Sequence, residues 1–285
     1  MAQDTFFSSK KTLNIRGNAV SLNVPLVMGI LNVTPDSFYE GSRVEQEKEI
    51  ITRATKMVED GAAIIDIGGY STRPGAVDIS VKEEIDRVIP AIKAIRKELT
   101  DSYISIDTFR SEVAKEALNA GADIINDVSG GELDDGMFDL IEQTNVPYIL
   151  MHMRGTPQTM KEYTNYDHLI LEIIDYFQKK VTDLRARGIH DIIIDPGFGF
   201  AKTVPQNFEL LKKLKELKTL ELPILVGISR KSMIYKSLDI SAAEALNGTT
   251  ALNMIALQNG ASILRVHDVK EAAETVKLFN LTYIK

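Results

Sequence analysis

The sequence predicts an α/β fold, and more specifically a (βα)8 TIM barrel, because short apolar runs alternate regularly with longer amphipathic stretches from Leu26 onwards. Eight apolar runs lie near residues 26–32, 62–68, 103–107, 123–127, 147–152, 191–195, 223–228 and 262–266. The first and last runs are about 240 residues apart over seven steps, so each unit spans roughly 34 residues, the size of a βα repeat. Eight uninterrupted repeats favour a closed barrel over an open doubly wound sheet, which would leave exposed edges.

Polar side chains follow the apolar runs at the point where each predicted strand ends. In the clearest case, three consecutive isoleucines (192–194) lead directly into Asp195, and a proline and a glycine follow. An unpaired buried carboxylate is too costly to keep, so Asp195 is expected to meet water, a partner or a ligand. Other runs end in the same way, at Asp66, Asp107, Asn126, His152 and His267. In a TIM barrel the active site lies at the carboxyl ends of the strands, where these residues fall.

The stretches between the runs have helical spacing and predict helices near residues 45–60, 81–99, 110–120, 135–144, 167–187, 205–218, 241–259 and 269–281. Before the first run, residues 12–24 alternate around Gly17 and Asn18, which predicts a β-hairpin with a two-residue turn. We therefore interpret residues 1–25 as an N-terminal extension that forms a lid or plug. No linker composition interrupts residues 26–285, which predict one barrel domain.

Composition excludes several classes of function. The 285 residues carry a net charge of -7, which argues against a general binder of nucleic acid or anionic membranes. The absence of cysteine excludes disulfides, thiolate catalysis and a cysteine zinc site. No apolar run approaches the roughly 20 residues of a membrane span, and Met1 to Lys11 lacks the apolar core of a signal peptide. These features predict a cytoplasmic protein.

Four cationic side chains are expected to converge on the barrel mouth: Arg73, Lys231, Arg265 and His267. Arg73 lies in one of two long loops, residues 31–42 and 68–76, which exceed the usual βα connection of about 2–6 residues and so resemble binding loops. TIM-barrel phosphate sites often form after strands seven and eight, where the other three lie. Each residue has a simpler interpretation, as a surface charge for Arg73, a solvated helix start for Lys231, or a contact with Asp268 for His267. Together they favour a phosphate or pyrophosphate site.

A second group consists of Asp107, Asn126 and Asp195, which we place on non-adjacent strands with no cation beside them in sequence. Acceptors in an apolar surround suit a flat heterocycle with ring N–H and amino donors, because a mismatched donor is costly there. A metal cage of Asp36, Asp107 and Asp195 is the weaker alternative, since Mg²⁺ usually keeps several waters and uses few protein ligands beside substrate phosphates.

On the basis of these residues, the chain resembles the dihydropteroate synthase family of pterin-binding TIM barrels. The resemblance rests on LNVTPDSF (31–38), GG-STRPGA (68–76), SIDT (105–108), INDVSGG (125–131), MHMRGTP (151–157), DPGFGF (195–200), SRKS (229–232) and RVHDV (265–269). It implies a folate-pathway transferase that condenses 6-hydroxymethyl-7,8-dihydropterin pyrophosphate with para-aminobenzoate to give 7,8-dihydropteroate and pyrophosphate. It also implies Mg²⁺ and a homodimer.

The resemblance assigns roles residue by residue. Pterin binding is implied for Asp107, Asn126, Met151, Asp195 and Lys231. Pyrophosphate binding is implied for Asn32, through Mg²⁺, and for Thr72, Arg73, Arg265 and His267. The para-aminobenzoate site is implied for Phe38, Thr72, Arg73, Pro74, Phe200, Lys231 and Ser232. The residues implied in catalysis are Asp107, Lys231, Arg265 and His267.

The chain departs from the family pattern at three places near these residues. It has Tyr39-Glu40-Gly41-Ser42 where the family often has Ser-Asp-Gly-Gly, Tyr70 where Glu is common, and Arg154 where Gln is common. Three alternative functions follow from the same residues. They are a methyltetrahydrofolate methyltransferase acting on a corrinoid protein, a Schiff-base aldolase using Lys231, and a pterin-binding module without catalysis.

Overall fold

The structure is a computed structural model that describes residues 10–33, 43–71 and 78–283. It begins with an antiparallel hairpin, β1 (Thr12–Ile15) and β2 (Asn18–Ser21). The turn consists of Arg16 and Gly17, which have φ angles of 55° and 78°, as a type I′ turn requires. The predicted turn at Gly17 and Asn18 is therefore wrong by one residue, because Asn18 already pairs with Ile15.

The barrel is a parallel eight-stranded sheet in the order β8-β7-β6-β5-β4-β3-β10-β9. Its strands are β3 (Leu26–Asn32), β4 (Ile64–Gly68), β5 (Tyr103–Asp107), β6 (Ile124–Asp127), β7 (Tyr148–Met151), β8 (Ile192–Asp195), β9 (Leu225–Val226) and β10 (Ile263–Val266). A bridge between Ile194 and Ile224 joins β8 to the segment before β9 and closes the sheet. The TIM barrel predicted from the sequence is thus confirmed.

Helices cover the outside of the sheet. They are α1 (Arg43–Glu59), α2 (Val81–Glu98), α3 (Ser111–Ala120), α4 (Gly136–Thr144), α5 (Leu169–Ala186), α6 (Val204–Lys213), α7 (Ser232–Tyr235), α8 (Leu246–Gln258) and α9 (Val269–Tyr283). Most agree with the predicted stretches. The helix predicted over 241–259 is shorter, because a 3₁₀ turn at Ala242–Glu244 with its own Ser241 capping box precedes α8.

The hairpin closes the amino-terminal end of the barrel. Its apolar side chains form one buried cluster with residues from the first half of the barrel strands, namely Leu13, Ile15, Leu22, Met28, Ile64, Ile124, Ile149, Ile193, Leu225 and Ile263. Lys10 anchors the entry to the hairpin, because its Nζ donates to Asp191 at 2.6 Å. Of the two roles expected for the extension, the structure shows a plug. No helix in the described part of the chain is long and apolar enough to cross a membrane.

Candidate active site

Arg265 is held between two carboxylates at the carboxyl ends of the strands. From β10, its Nε donates to Asp66 Oδ2 of β4 at 2.6 Å and its Nη2 donates to Asp107 Oδ2 of β5 at 2.5 Å. Asn126 of β6 donates through Nδ2 to the same Asp66 Oδ2 at 3.1 Å. From the sequence, we expected an acceptor end of the pocket separate from a cationic end. That separation is wrong at Arg265, because β10 pairs with β3 when the barrel closes and so lies two strands from β4 and three from β5.

The predicted acceptors lie together at this end of the barrel. Asp107 and Asn126 are register partners on β5 and β6, so their assignment to non-adjacent strands was wrong. Asp195 ends β8, and its register partner is the buried Met151 at the end of β7. The structure therefore brings Asp107, Asn126, Met151 and Asp195 onto four consecutive strands, as a pocket for one flat ligand requires.

The carboxylates have perturbed acidities. Burial raises the pKa of Asp107 to about 7, although Arg265 lowers it and Asp66 raises it further. Burial also raises the pKa of Asp195, against the lowering effects of Lys231 and of the Gly197 N–H, which donates to Asp195 Oδ1 at 2.8 Å. Both groups are therefore acceptors that favour a donor in the pocket, since a bound N–H stabilises the ionised form.

Lys231 turns into the pocket from the residue that precedes α7. Its Nζ donates to the Phe198 carbonyl and lies 4.8 Å from the centre of the Phe200 ring. Burial lowers the pKa of Lys231 to about 8, opposed by the charge of Asp195. A Cβ at Gly199 would lie 3.2 Å from Lys231 Cδ, so this glycine allows the close approach. The simpler interpretation of Lys231 was a solvated helix start. Lys231 does precede a helix, but its ammonium group contacts Phe198 and Phe200 as well.

His267 and Lys231 are carried by two loops that are fastened together. Ser229 Oγ lies 3.0 Å from His267 Nδ1 and accepts the His267 backbone N–H at 3.2 Å. Arg230 binds Asp268 in a bidentate pair, at 2.9 Å from Nε and 2.6 Å from Nη2. The simpler interpretation of His267 was a contact with Asp268, but Asp268 binds Arg230 instead. The two loops form one unit on which both predicted cations sit.

Asn32 is the last residue of β3 and lies beside Gly68. A Cβ placed on Gly68 would be 3.7 Å from Asn32 Oδ1 and 3.6 Å from Asp107 Oδ2, so both oxygens face this strand end. Within residues 10–33, 43–71 and 78–283, no cluster of three or more His, Asp or Glu side chains could hold a metal ion. Asp36 of the alternative carboxylate cage lies outside the described residues. A single amide oxygen suits a Mg²⁺ ion that a phosphate ligand carries, because Mg²⁺ needs few protein ligands.

Several predicted site residues cannot be placed. Phe38, Thr72, Arg73 and Pro74 lie outside the described residues. Of the predicted para-aminobenzoate residues, the structure places Phe200, Lys231 and Ser232. Phe200 packs partly buried against the cluster that contains Met151, and Ser232 begins α7 directly after Lys231. This side of the pocket is thus adjacent to the pterin side.

Two features of the site were missed by the choice of candidate residues. Asp66 follows apolar residues in its run as Asp107 does, and that shared pattern was the available signal. Lys202 is buried, with Nζ 3.1 Å from His152 Nδ1 and 3.0 Å from the carbonyls of both Gly197 and Phe200. Burial lowers the pKa of Lys202 to about 7 and that of His152 well below its usual value. Lys202 thus fixes the loop after β8 from beneath.

The two described departures from the family pattern make contacts between loops. Tyr70 accepts a hydrogen bond from Gln158 Nε2 at 3.1 Å and meets Phe109 edge to face at 5.1 Å. The Arg154 guanidinium lies 3.8 Å above the Tyr166 ring. These contacts tie together loops at the rim of the barrel mouth.

Comparison with known proteins agrees with this geometry. The family model described as "Pterin binding enzyme" matches residues 28–267. The chain is 51% identical over 255 residues to a dihydropteroate synthase from Synechocystis, with 88% of each chain covered. It is 43% identical over 269 residues to the dihydropteroate synthase of Escherichia coli, covering 94% of this chain and 95% of that one.

Solved structures give the same result. A Yersinia pestis dihydropteroate synthase with a sulfonamide drug complex superposes with a TM-score of 0.89 at 41% identity, covering 95% of this chain and 98% of that one. A Xanthomonas albilineans dihydropteroate synthase with 4-aminobenzoic acid has a TM-score of 0.89 at 35% identity, covering 97% and 100%. The same enzyme in complex with 7,8-dihydropteroate has a TM-score of 0.86 at 33% identity, covering 96% and 99%.

Proposed function

Because the chain belongs to the dihydropteroate synthase family of pterin-binding enzymes, we propose that it condenses 6-hydroxymethyl-7,8-dihydropterin pyrophosphate with para-aminobenzoate to give 7,8-dihydropteroate and pyrophosphate. The observation that carries the proposal is the position of Arg265, whose guanidinium contacts two carboxylates at the barrel mouth, Asp66 and the predicted acceptor Asp107. Hydrogen-bond acceptors thus lie next to a cation, the combination that a pterin ring and its pyrophosphate would require.

The pterin ring would bind through donors that meet Asp107, Asn126 and Asp195. Asn126 and Asp195 are buried and Asp107 is partly buried, so an unmatched N–H of the ligand would be costly beside them. Met151 would form an apolar wall, and Lys231 would donate to the ring carbonyl. A heterocycle without these donors would leave buried acceptors unpaired, so the pocket selects for the pterin edge.

The pyrophosphate would bind Arg265 and His267, with Thr72 and Arg73 from the long loop after β4. Guanidinium groups match phosphate oxygens in bidentate fashion, and Arg265 is already held by Asp66 and Asp107 before the reaction. Asn32 would hold a Mg²⁺ ion that the pyrophosphate carries. When bound, that ion would neutralise part of the charge on the phosphate oxygens.

The reaction is an alkyl transfer. The amine nitrogen of para-aminobenzoate bonds to the methylene carbon of the pterin, the carbon–oxygen bond breaks, and its electron pair leaves with pyrophosphate. The aniline nitrogen is neutral near pH 7 and its surplus proton passes to solvent, so no strong base is needed. Asp107 would steady positive charge that develops on the pterin methylene. The para-aminobenzoate would lie against Phe38, Thr72, Arg73, Pro74, Phe200, Lys231 and Ser232.

Arg265 and His267 would supply most of the rate enhancement by stabilising the leaving group. A well-placed donor to developing negative charge typically contributes a few kcal/mol. The long loops would exclude water, which competes with the amine for the methylene carbon.

We also propose a homodimer in the cytoplasm. The last helices of the barrel, α8 and α9, expose Ile255, Leu278 and Leu281, and such apolar surface supports association. Light scattering at micromolar concentration tests the dimer, and a mass of one chain would contradict it. The cytoplasmic location stays a prediction from the sequence, which cell fractionation tests.

The decisive experiment measures pyrophosphate release from the pterin pyrophosphate with Mg²⁺, with and without para-aminobenzoate. We expect release to require para-aminobenzoate and to yield dihydropteroate. Arg265→Ala should reduce it by about a thousandfold, because the change removes the cation between Asp66 and Asp107 and a donor to the leaving group.

Arg187→Ala is the matched control, since Arg187 lies at the far end of α5 and binds surface carboxylates such as Asp139. Its activity should stay within about twofold of the parent protein. Tight pterin binding with no turnover would overturn the synthase proposal and favour the non-catalytic module or the corrinoid methyltransferase.

A further inference from the structure

We propose that Asp66 is a positioning residue that orients Asn126 and Arg265 together and so sets the pterin site and the pyrophosphate site relative to each other. The inference rests on the proposed function. Asp66 lies in the middle of β4 and is fully buried. In the described structure its hydrogen bonds go to Asn126 and Arg265, which belong to the two halves of the site.

The sheet order gives Asp66 a central position. The consecutive strands run β6-β5-β4-β3-β10, so β4 is the middle one of the five. Asn126 of β6 lies two strands to one side and Arg265 of β10 lies two strands to the other. Because one Asp66 oxygen accepts from both, a single carboxylate connects them across the barrel interior at 3.1 Å and 2.6 Å.

This contact determines which way the Asn126 amide faces. An asparagine side chain can present either its oxygen or its nitrogen after a half rotation, whereas an ionised carboxylate only accepts hydrogen bonds. The bond to Asp66 therefore directs Nδ2 of Asn126 inwards and leaves Oδ1 on the other side as an acceptor. Without Asp66 this preference is lost, and the orientation that presents a donor to the pterin becomes accessible.

Asp66 also fixes the Arg265 guanidinium in its plane. Asp66 accepts a hydrogen bond from Nε and Asp107 accepts one from Nη2, so two edges of the planar group are occupied. Among the described residues, Nη1 makes no hydrogen bond, and its two N–H groups remain for an oxyanion. A planar group held at two points has less orientational freedom, so it loses less conformational entropy when it binds phosphate.

The second oxygen of Asp66 shows that this arrangement does not serve stability alone. Oδ1 is buried with no hydrogen-bond partner among the described residues, and so is Oγ of Ser105, its register partner on β5. An unsatisfied buried acceptor destabilises a fold. The benefit of a carboxylate here therefore lies in the two groups that it orients.

The test compares Asp66→Ala and Asp66→Asn with Ser105→Ala as the matched control. Ser105 lies in the same layer of the barrel and is equally buried, and its side chain has no hydrogen bond to any described residue. Three quantities are measured: the Kd for 6-hydroxymethylpterin, which lacks pyrophosphate, the Ki for pyrophosphate, and the KM for para-aminobenzoate.

In Asp66→Ala, we expect the pterin Kd and the pyrophosphate Ki each to rise by about tenfold to a hundredfold. The KM for para-aminobenzoate should change by less than about twofold, because Asp66 holds none of the residues assigned to that substrate. Asp66→Asn keeps an acceptor oxygen, so both constants should lie between those of the parent and of Asp66→Ala. Ser105→Ala should change none of them by more than about twofold.

If Asp66→Ala does not fold, Asp66→Asn decides the question by the same constants. Variants that lose thermal stability but keep the pterin Kd and the pyrophosphate Ki would overturn the inference and leave Asp66 with a structural role. The pterin Kd is measured without turnover, whereas the pyrophosphate Ki requires an active parent protein. A parent protein that binds pterin but makes no dihydropteroate would therefore contradict the proposed function alone, while the effect on binding still tests Asp66.

Discussion

The two ends of the barrel are built by the same strands and differ in what those strands bury. A shift of two residues along a strand keeps the side chain on the same face. It nevertheless takes the interior from an apolar layer to a polar one in four strands: Ile64 and Asp66, Ile124 and Asn126, Ile193 and Asp195, Ile263 and Arg265. The hairpin covers the apolar layer, which we call the lower layer. The loops that carry Lys231 and His267 surround the polar layer, which we call the upper layer.

This difference separates stability from function within one strand. Full burial of an isoleucine side chain stabilises the fold by about 2 kcal/mol, and the lower layer repeats such burial around the barrel. The upper layer buries carboxylates whose desolvation cost is only partly offset by Arg265 and Lys231. Changes in the lower layer should therefore affect folding, whereas changes in the upper layer should affect catalysis.

The largest expected effect is in the upper layer, for Lys231→Met. The variant keeps the length of the side chain but removes the ammonium from the pocket, so kcat/KM should fall by about a thousandfold, or roughly 4 kcal/mol of transition-state stabilisation. Unfolding in urea should change little, because burial of the amine opposes its charge in the folded protein. Steady-state kinetics and urea titration of the same preparation measure both.

Lys236→Met is the control, since Lys236 lies five residues further on and is exposed. Its kcat/KM should equal that of the parent protein. A loss of stability in Lys231→Met as large as its loss of activity would break the separation of the two layers.

In the lower layer, Ile193→Ala should reduce the free energy of unfolding by about 3 kcal/mol, because it removes fully buried methylene and methyl groups and leaves a cavity. Well below the melting temperature, its kcat and both KM values should stay within about twofold of the parent protein. Urea denaturation followed by circular dichroism measures the first effect. Leu171→Ala, at an exposed site on α5, should lower the free energy of unfolding far less.

How far the sequence predicts this arrangement depends on the range of the interaction. Strand positions and polar strand ends follow from periodicity, which is a local property, and the structure confirms the barrel. The contact between Asp66 and Arg265 joins residues 199 positions apart, and only closure of the barrel creates it. Residue pattern could place both at the mouth but could not predict that a cation separates two of the acceptors.

The error in the hairpin has a similar cause. Gly17 and Asn18 form a good turn by residue type, yet the chain turns at Arg16 and Gly17. In that register Leu13 and Ile15 both face the barrel and are fully buried. Packing against the lower layer therefore overrides the local preference, at the cost of a positive φ at a non-glycine residue.

The layers should also differ in their response to pH. Burial raises the pKa of Asp107 to about 7, so this group is neutral below that pH and charged above it. If the charged form binds the pterin, kcat/KM should fall by about tenfold for each pH unit below 7. Rate profiles between pH 5 and pH 9 measure this, and activity recovered on return to pH 7.5 controls for unfolding.

Asp107→Asn should be less active and should lose this pH dependence. If kcat/KM of that variant still falls below pH 7, the titrating group is a different residue.

The smallest expected effect concerns Lys202, which supports the loop after β8. Burial lowers its pKa to about 7, whereas an unfolded lysine keeps its proton up to about pH 10.4, so the unfolded state binds more protons between these values. This residue should therefore raise the free energy of unfolding as the pH rises, by about 1 kcal/mol between pH 7 and pH 8. Urea titrations at pH 6.5, 7.5 and 8.5 should show that increment in full in the parent protein and in Lys212→Met, an exposed control, and a smaller rise, from Lys231, in Lys202→Met. The stability lost in Ile193→Ala should be the same at all three pH values, because its layer contains no titratable group, and a pH-dependent loss there would show that the two layers are coupled.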